Sequence, residues 1–367
     1  MKNCGIITMH RPLNVGSALQ AYALQRSIEK LGAQSKIIDY VYPNAFHRQA
    51  SLKSRTVHFV NGRLKRLLGQ GKFELFEQRF DAFLHDMLHL TSLYPTPEAL
   101  QSNPPDFDVY VAGSDQVWRA SYTQGDPSFF CAFAPVGARL ISYASSFGVA
   151  RVEEKYHAAY REYLRRFAYV SVREREAVDL VRAIAGREAT LVLDPTLLLG
   201  GKEWEDLMPE IDLGDPYVLC YGNSYSDEYV MNLALHARKV LGLRVVWVFG
   251  RPWHRFRRRI DHVFDIGPLE FLTWVKHASL VLTQSLHGTI FALNFRRPFY
   301  SIHQTAKTAN TRQMSLLRRL NCEDRGLEVG QPFPEGDPFS VDHDDIHGHL
   351  NALREESIDY LKTSLDL

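Results

Sequence analysis

Short apolar runs alternate along the chain with stretches in which apolar residues recur at helical spacing. Residues 5–9 form the first run, a helical stretch follows, and Leu31-Gly32 marks the stop of that helix. Residues 36–40 form the next run and complete a strand–helix–strand unit. The further runs that predict strands are residues 109–112, 139–144, 169–172, 190–193, 217–221, 244–249 and 280–283.

These predicted strands are rich in β-branched residues, and most of them do not alternate apolar with polar positions. Continuous apolar runs are typical of strands that helices cover on both faces of a parallel sheet. The pattern predicts an α/β protein of two doubly wound domains. A strand leads into a turn at residues 199–202, which gives domains 1–199 and 200–343, with a C-terminal helix, 344–367, joining the first domain.

Composition and charge narrow the class of protein. The chain has 367 residues, 45% of them apolar, which is enough for two domains with cores of their own. The 43 Lys and Arg residues nearly balance the 42 Asp and Glu residues, so we predict no nucleic-acid partner. No run of about 18 apolar residues and no targeting segment is visible. We therefore predict a cytoplasmic protein.

The four cysteines lie far apart, and no two of them form a CxxC pair. That spacing excludes a motif-type zinc site and argues against a disulfide framework. We predict reduced, buried thiols and no metal site. The cysteines are Cys4, Cys131, Cys220 and Cys322.

Two segments are basic. Residues 51–75 interleave lysine and arginine with apolar residues, which predicts an amphipathic helix. That helix either lies peripherally on the inner face of an anionic membrane or presents a solvated face over a core stripe. Residues 251–259 (RPWHRFRRR) follow a predicted strand, and they either bind a polyanionic acceptor or diphosphate or form an exposed loop.

The strongest candidate for chemistry is the segment 278–293 (ASLVLTQSLHGTIFAL), in which a buried strand hands over to an apolar helix. Ser285 is expected to cap that helix. The free N–H groups of the first turn and the helix dipole are expected to form an anion site. Gly288 is expected to let a ligand approach the backbone, and His287 to move a proton at the rim. The alternative is a capping serine with a satisfied histidine. His287 is the predicted catalytic residue, and the predicted ligand-binding positions around it are Ser285, Leu286, Gly288 and Thr289.

Arg173 follows a predicted strand in the segment 170–176 (VSVRERE). Its planar guanidinium suits two-pronged contact with a carboxylate or phosphate. The alternative is a surface charge network formed with Glu174, Arg175 and Glu176.

Three turns rich in small and hydrogen-bonding residues follow strands in the first half, at residues 10–20, 112–118 and 142–148. The first lacks GxGxxG spacing, which argues against a dinucleotide site. Asp115 is a candidate base for an alcohol, or else the cap of a helix that begins near Gln116. The positions predicted to contact an acceptor are Asn14, Gly16, Ser17, Gln20, Ser114, Asp115 and Ser146.

The order of these motifs resembles the polysaccharide pyruvyl transferase family. The resemblance implies two Rossmann-like domains facing a cleft, similar to the GT-B architecture. It also implies transfer of a pyruvyl unit from phosphoenolpyruvate to a sugar, usually as a ketal on two hydroxyls. The matching segments are residues 5–32, 108–118, 142–148, 171–176, 193–198, 278–298 and 310–325.

Carried over by motif, the resemblance makes Arg173 a donor-binding arginine and His287 the histidine of the family's arginine–leucine–histidine signature. That signature here reads Ser285-Leu286-His287, so one cation for the donor is missing. Ser285 with the helix N-terminus, or Arg312, is expected to compensate, and Asn310 begins the same matching segment as Arg312. The resemblance implies phosphoenolpyruvate as a co-substrate and requires no other cofactor and no metal.

Three functions stay open on the sequence. The first is a pyruvyl transferase that acts on a sugar or lipid-linked oligosaccharide of a surface or exopolysaccharide precursor. The second is a GT-B-like glycosyltransferase that uses a nucleotide sugar. The third is a non-catalytic carbohydrate-binding relative, which Ser285 in place of arginine suggests.

Overall fold

The computed structural model describes residues 1–42, 70–222, 227–249, 260–304 and 311–367. Two compact units divide the chain between them. The described residues of the first unit come from Met1–Gln49, Ala82–Leu199 and Leu350–Leu367, and those of the second from Ala50–Asp81 and Gly200–His349.

The strands are short and parallel. In chain order they are β1 Asn3–Ile7, β2 Gln34–Ile37, β3 Val109–Ala112, β4 Arg139–Ser142, β5 Ser171–Val172, β6 Thr190–Leu191, β7 Tyr217–Tyr221, β8 Arg244–Val248, β9 Asp261–Val263, β10 Leu280–Thr283, β11 Phe299–His303 and β12 Gly326–Glu328.

Helices connect most of these strands, as parallel pairing requires. In chain order they are α1 Val15–Lys30, α2 Gln70–Met87, α3 Pro97–Ser102, α4 Ala120–Thr123, α5 His157–Arg166, α6 Arg175–Ala185, α7 Gly201–Glu205, α8 Asp227–Leu241, α9 Pro268–Lys276, α10 Leu286–Asn294, α11 Thr311–Arg319 and α12 His343–Leu365.

The first unit is built on a four-stranded sheet of order β2-β1-β3-β4. The short pair β5-β6 continues beyond β4 through bridges at Ile141–Tyr169 and Ser145–Val172. Aromatic side chains fill the core beside it, where Trp118 stacks on Phe130 with ring centroids 5.4 Å apart. The order of strands reverses between β1 and β3, so a crevice is expected at their carboxyl ends.

The second unit is a six-stranded parallel sheet of order β12-β11-β10-β7-β8-β9. Its strands run outward from the centre in both directions, which is the doubly wound topology. Both faces are covered, and the strands β7, β8 and β10 are almost wholly buried along their length. The reversal of strand order falls between β7 and β10.

The sequence predicted the central strands and missed three that are less apolar. β3, β7 and β10 have the predicted bounds. β1, β2, β4 and β6 end earlier than predicted, because residues such as Thr8 leave the sheet to hydrogen-bond in the following turns. The strands that were not predicted, β9, β11 and β12, contain polar residues that interrupt an apolar run.

The division between units falls after Leu199, at the expected boundary, but the second unit includes more than residues 200–343. The N-terminal part of α2 belongs to the second unit, and α12 crosses from the second unit to the first after His349. The predicted limits were wrong at these two helices, since each helix runs without a break through the change of unit. Residues 51–69 and 251–259, both in basic segments, lie outside the described residues.

All four cysteines are buried, and none of them is in a disulfide. Burial, together with the charge of Asp108, raises the pKa of Cys4 to about 12, so this thiol is unreactive in the folded protein. Among the helices of the described residues, none has the length and apolar character needed to cross a membrane.

Candidate functional site

The crevice position of the second unit lies where β7 and β10 end side by side. Thr283, the last residue of β10, pairs with Tyr221, the last residue of β7. The Thr283 hydroxyl donates to the Tyr221 carbonyl at 2.7 Å, and the backbone N–H of Gln284 donates to the same oxygen at 3.1 Å. These bonds fix the backbone just before α10 begins.

Ser285 occupies the cap position of α10 in an extended conformation, with φ −96° and ψ 136°. Its hydroxyl does not bond to the N–H groups of the first turn, so the expected side-chain cap is wrong. The hydroxyl bonds instead with Tyr221, whose pKa burial raises to about 12 although this bond acts in the opposite direction. The first turn of α10 is therefore left without a serine cap.

His287 lies in that first turn and is 7% exposed, as is Leu286. The helix presents its positive dipole end and first-turn N–H groups at the carboxyl edge of the sheet. Such an arrangement binds phosphate or carboxylate without a cationic side chain. The structure therefore brings together the predicted anion-binding backbone and the predicted proton-transfer residue.

Gly288 has a packing role, and the approach of a ligand to its backbone stays a prediction. A Cβ atom at Gly288 would lie 2.1 Å from the Thr283 hydroxyl oxygen and 2.9 Å from the Tyr221 ring. Only glycine lets α10 approach β10 and β7 this closely.

Thr289 is fully buried and supports the turn, and its contact with the donor stays a prediction. Its hydroxyl donates to the Ser285 carbonyl at 3.2 Å and lies 2.8 Å from the Ser301 hydroxyl. The Gln313 amide in turn donates to Ser301 at 2.8 Å. This chain of bonds ties α11 and β11 to the start of α10.

Arg312 lies in the first turn of α11 and is partly exposed. The next residue, Gln313, is part of the chain of hydrogen bonds that ends at the Ser285 carbonyl. Helix α11 is therefore anchored to the candidate site. Asn310 lies outside the described residues.

Gln284 is the residue of this site that the sequence did not single out. It is 4% exposed, and neither its amide nitrogen nor its amide oxygen has a hydrogen-bond partner among the described residues. The sequence could have indicated Gln284 by its position alone, because it is a polar residue between a buried strand and the helix cap.

In the first unit, Arg173 is buried in a charge cluster at the carboxyl edge of the sheet. Its guanidinium donates to Asp194 at 2.5 Å and to Asp115 at 3.2 Å, and its side chain is 3% exposed. Burial would lower the pKa of Arg173, but Asp194, Asp115 and Glu174 together raise it above its ordinary value. The arginine therefore stays charged and is neutralised inside its own unit.

This geometry shows which residues Arg173 binds. Its partners are buried carboxylates that follow β3 and β6, rather than the surface neighbours Arg175 and Glu176. Two of its nitrogens bind those carboxylates, Nε has no hydrogen-bond partner among the described residues, and the contact with a donor anion stays a prediction. Arg173 joins the turns that follow β3, β5 and β6.

Asp115 was predicted as a base or as a helix cap, and the second alternative was wrong because α4 begins only at Ala120. Asp115 accepts from Ser17 at 2.9 Å as well as from Arg173. Its geometry indicates a role in positioning Arg173.

Most of the other predicted acceptor positions form an interior polar network. The Gln20 amide donates to Thr8 at 2.9 Å, and the Ser114 hydroxyl donates to the Ala144 carbonyl at 3.1 Å. Both Gln20 and Ser114 are fully buried. The network holds the turns after β1 and β3 together, and the ligand contacts expected of these residues stay predictions.

The remaining acceptor positions also have local partners. Asn14 caps α1 by accepting from the N–H groups of Gly16 and Ser17. The Ser146 hydroxyl donates to the buried Glu174 carboxylate at 2.8 Å and is itself fully buried. Among the predicted acceptor positions, only Asn14 is exposed, so only this side chain is accessible as the structure stands.

A further buried cluster, which the sequence did not indicate, follows β1 and β2. Asp39 accepts from Arg11 through two nitrogens, both at 2.6 Å, and lies 3.0 Å from the His10 ring. Burial tends to raise the pKa of Asp39, but the bonds with His10 and Arg11 outweigh burial and lower it to about 2.

We expect this cluster to make stability depend on pH at the acid end. The pKa of Asp39 is lower in the folded protein than its ordinary value of 3.8. Its contribution, on the order of 2 kcal/mol, is therefore present above about pH 4 and is lost as the pH falls towards 2. Denaturant unfolding of the wild type and of Asp39→Asn should show a difference at pH 7 that narrows below pH 4. A difference that stays constant down to pH 2.5 would contradict this assignment.

Comparison with known sequences identifies a family over most of the chain. The model of the family described as polysaccharide pyruvyl transferase matches residues 14–303, from the start of α1 to the end of β11. No curated protein matches the chain.

Solved structures of similar fold include a co-structure with UDP and a UDP-GlcNAc 2-epimerase. The S. aureus MnaA–UDP co-structure is 10% identical with a TM-score of 0.54, over 100% of this chain and 98% of that one. UDP-GlcNAc 2-epimerase from Neisseria meningitidis, bound to UDP-GlcNAc, is 13% identical with a TM-score of 0.51, over 99% and 94%. At these identities the likeness concerns the fold alone, and it confirms the predicted GT-B-like architecture of Rossmann-like domains.

Proposed function

The chain belongs to the polysaccharide pyruvyl transferase family, and on this premise we propose that it moves the pyruvyl unit of phosphoenolpyruvate onto a sugar. The acceptor is a pair of hydroxyl groups on a surface or exopolysaccharide precursor, free or carried on a lipid. The family supports a transferase with a sugar acceptor. The donor and the kind of precursor are our proposal.

The observation that carries the proposal is the start of α10. Its first turn has no serine cap, lies at the carboxyl edge of the sheet where strand order reverses, and contains His287. Phosphoenolpyruvate carries a phosphate and a carboxylate, and both are suited to a helix N-terminus. Arg312 in the anchored helix α11 is the candidate cation for the remaining negative charge.

The proposed reaction needs one proton donor and one proton acceptor near the enol. A proton adds to the methylene carbon of phosphoenolpyruvate, and a sugar hydroxyl attacks the adjacent carbon and loses its proton. The bond between this carbon and the phosphate oxygen then breaks, and the second hydroxyl attacks the same carbon to close the ketal. Its proton goes to the departing phosphate, which is released as inorganic phosphate. His287 is our candidate for the proton transfer, since histidine changes charge near neutral pH.

Thermal unfolding with added ligands tests the donor. We expect phosphoenolpyruvate to raise the Tm of the wild type in a concentration-dependent way, because ligand at 100 times Kd stabilises a protein by about 2.7 kcal/mol. Release of inorganic phosphate in the presence of a sugar acceptor should accompany this binding.

UDP and UDP-GlcNAc are the competing ligands in the same experiment, since solved structures that share the fold contain them. A shift with either of these and none with millimolar phosphoenolpyruvate would replace the proposal by a nucleotide-sugar transferase. Binding of a sugar without release of phosphate would favour a non-catalytic carbohydrate-binding protein.

A further inference from the structure

Gln284 differs from the residues on either side of it. The Thr283 hydroxyl donates to the Tyr221 carbonyl, and the Ser285 hydroxyl bonds with the Tyr221 hydroxyl. Gln284 is 4% exposed, and both polar atoms of its side chain have no partner in the part of the chain that the structure describes. A complete buried amide is thus unsatisfied in a segment where the neighbours are paired.

Such an arrangement is unfavourable unless something else uses the amide. A buried polar group without a hydrogen bond destabilises the folded state, and native structures contain few of them. A leucine or methionine of similar volume would fill the same space without that cost. The presence of glutamine therefore indicates a partner that is not part of the polypeptide.

The amide lies at the reversal of strand order. A Cβ atom at Gly222, the residue after β7, would lie 2.7 Å from the Gln284 Cβ and 3.0 Å from its amide oxygen. The side chain therefore rests against the backbone of Gly222, between the ends of β7 and β10. Ser285, the next residue, is partly exposed and begins α10. The unsatisfied amide and the uncapped helix N-terminus are consecutive parts of one surface.

We propose that Gln284 is a ligand-binding residue of this site, an inference that rests on the proposed function. When the phosphate of the donor takes the first-turn N–H groups, the Gln284 Nε2 donates to the carboxylate of phosphoenolpyruvate. The ionised phosphoenolpyruvate has no hydrogen that it could donate to the Gln284 Oε1. This oxygen therefore accepts a hydrogen bond from the attacking sugar hydroxyl. The amide thus holds both reactants without adding charge.

The test uses two substitutions of Gln284 and one control. Gln284→Met keeps the volume and removes both polar atoms, and Gln284→Glu keeps the shape and replaces the donor by a negative oxygen. Gln304→Met is the matched control, because Gln304 is exposed and follows β11 at the same edge of the sheet. Tm is measured for each protein alone, with phosphoenolpyruvate and with inorganic phosphate.

We expect Gln284→Met to have a Tm equal to or above that of the wild type, since an unsatisfied amide has been removed. Its affinity for phosphoenolpyruvate should fall about 10- to 100-fold, the loss expected for a hydrogen bond to a charged group. Its response to inorganic phosphate should remain. Gln284→Glu should lose the phosphoenolpyruvate response further through repulsion, and Gln304→Met should behave as the wild type.

Two results would overturn the inference alone. Wild-type affinity for phosphoenolpyruvate in Gln284→Met would show that the amide does not contact the donor. A clearly lower Tm of Gln284→Met without ligand would show that the amide has a structural partner. Failure of the wild type to respond to phosphoenolpyruvate would be a different result, and it would overturn the proposed function together with this inference.

Discussion

Replacing Arg173 by alanine is expected to lower the free energy of unfolding by about 3–5 kcal/mol, the usual effect of removing one partner from a buried ion pair. The substitution would leave Asp194 and Asp115 without their cation, with side chains 2% and 9% exposed. Denaturant unfolding of the wild type and the variant measures the difference. The double variant Arg173→Ala, Asp194→Ala should lose less than the sum of the single variants, since it removes one of the two isolated carboxylates.

Arg182 provides the control, because it also uses two nitrogens to bind carboxylate oxygens. Its partner is Glu188, at 3.0 and 2.7 Å, but the side chains are 55% and 76% exposed. Exposed pairs contribute little, so Arg182→Ala should unfold almost as the wild type does. If Arg173→Ala were equally stable and lost only its response to phosphoenolpyruvate, Arg173 would be a donor ligand, as the family resemblance implies, and the structural assignment would be wrong.

The fold could be predicted because strands buried on both faces leave a strong signal. β3, β7 and β10 are continuous apolar runs, and they lie at or beside the centres of their sheets. β9 and β12 are edge strands of three residues, and each pairs with a neighbour on one side only. Their backbone hydrogen bonds, more than their apolar content, define them as strands. Sequence patterns therefore predict the centre of a parallel sheet better than its edges.

The candidate site could be located from the sequence, but the roles of its residues could not be assigned. The approach of α10 to β10 and β7 makes Gly288 a packing residue, and this approach depends on residues far apart in the chain. Likewise, the turns after β3 and β6 supply Asp115 and Asp194, which turn an apparently free Arg173 into a buried ion pair. Position at the carboxyl edge of a strand is encoded locally, whereas the partner of a side chain is set by the tertiary fold.

The same limit applies to residues that the sequence passed over. Gln284 is one glutamine among polar neighbours until the structure shows its amide buried and unpaired. Asp39 ends an apolar run as an ordinary strand residue would, but Arg11 and His10 meet it from the turn after β1. Both positions follow the ends of strands. For polar residues directly after buried strands, the structure is therefore needed to show the burial and the partners of the side chain.

Replacing His287 by alanine is expected to reduce kcat for pyruvyl transfer by about 10²- to 10⁴-fold, the usual contribution of a positioned general acid or base. The residue lies in the first turn of α10, next to the N–H groups proposed to hold the phosphate. Those groups belong to the backbone and remain in the variant, so binding of phosphoenolpyruvate should change much less than kcat. Steady-state kinetics of phosphate release, read beside the Tm shift with phosphoenolpyruvate, separates the two effects.

His277 is the matched control for this prediction. It ends α9 before β10 begins, is exposed, and lies at the amino end of the strand whose carboxyl end leads to His287. A residue on that opposite edge should be dispensable, so His277→Ala should keep wild-type kcat. Equal loss of kcat and of phosphoenolpyruvate binding in His287→Ala would assign the histidine to holding the donor. Unchanged kcat would remove proton transfer from His287 and, with it, the chemical basis for placing the reaction at the start of α10.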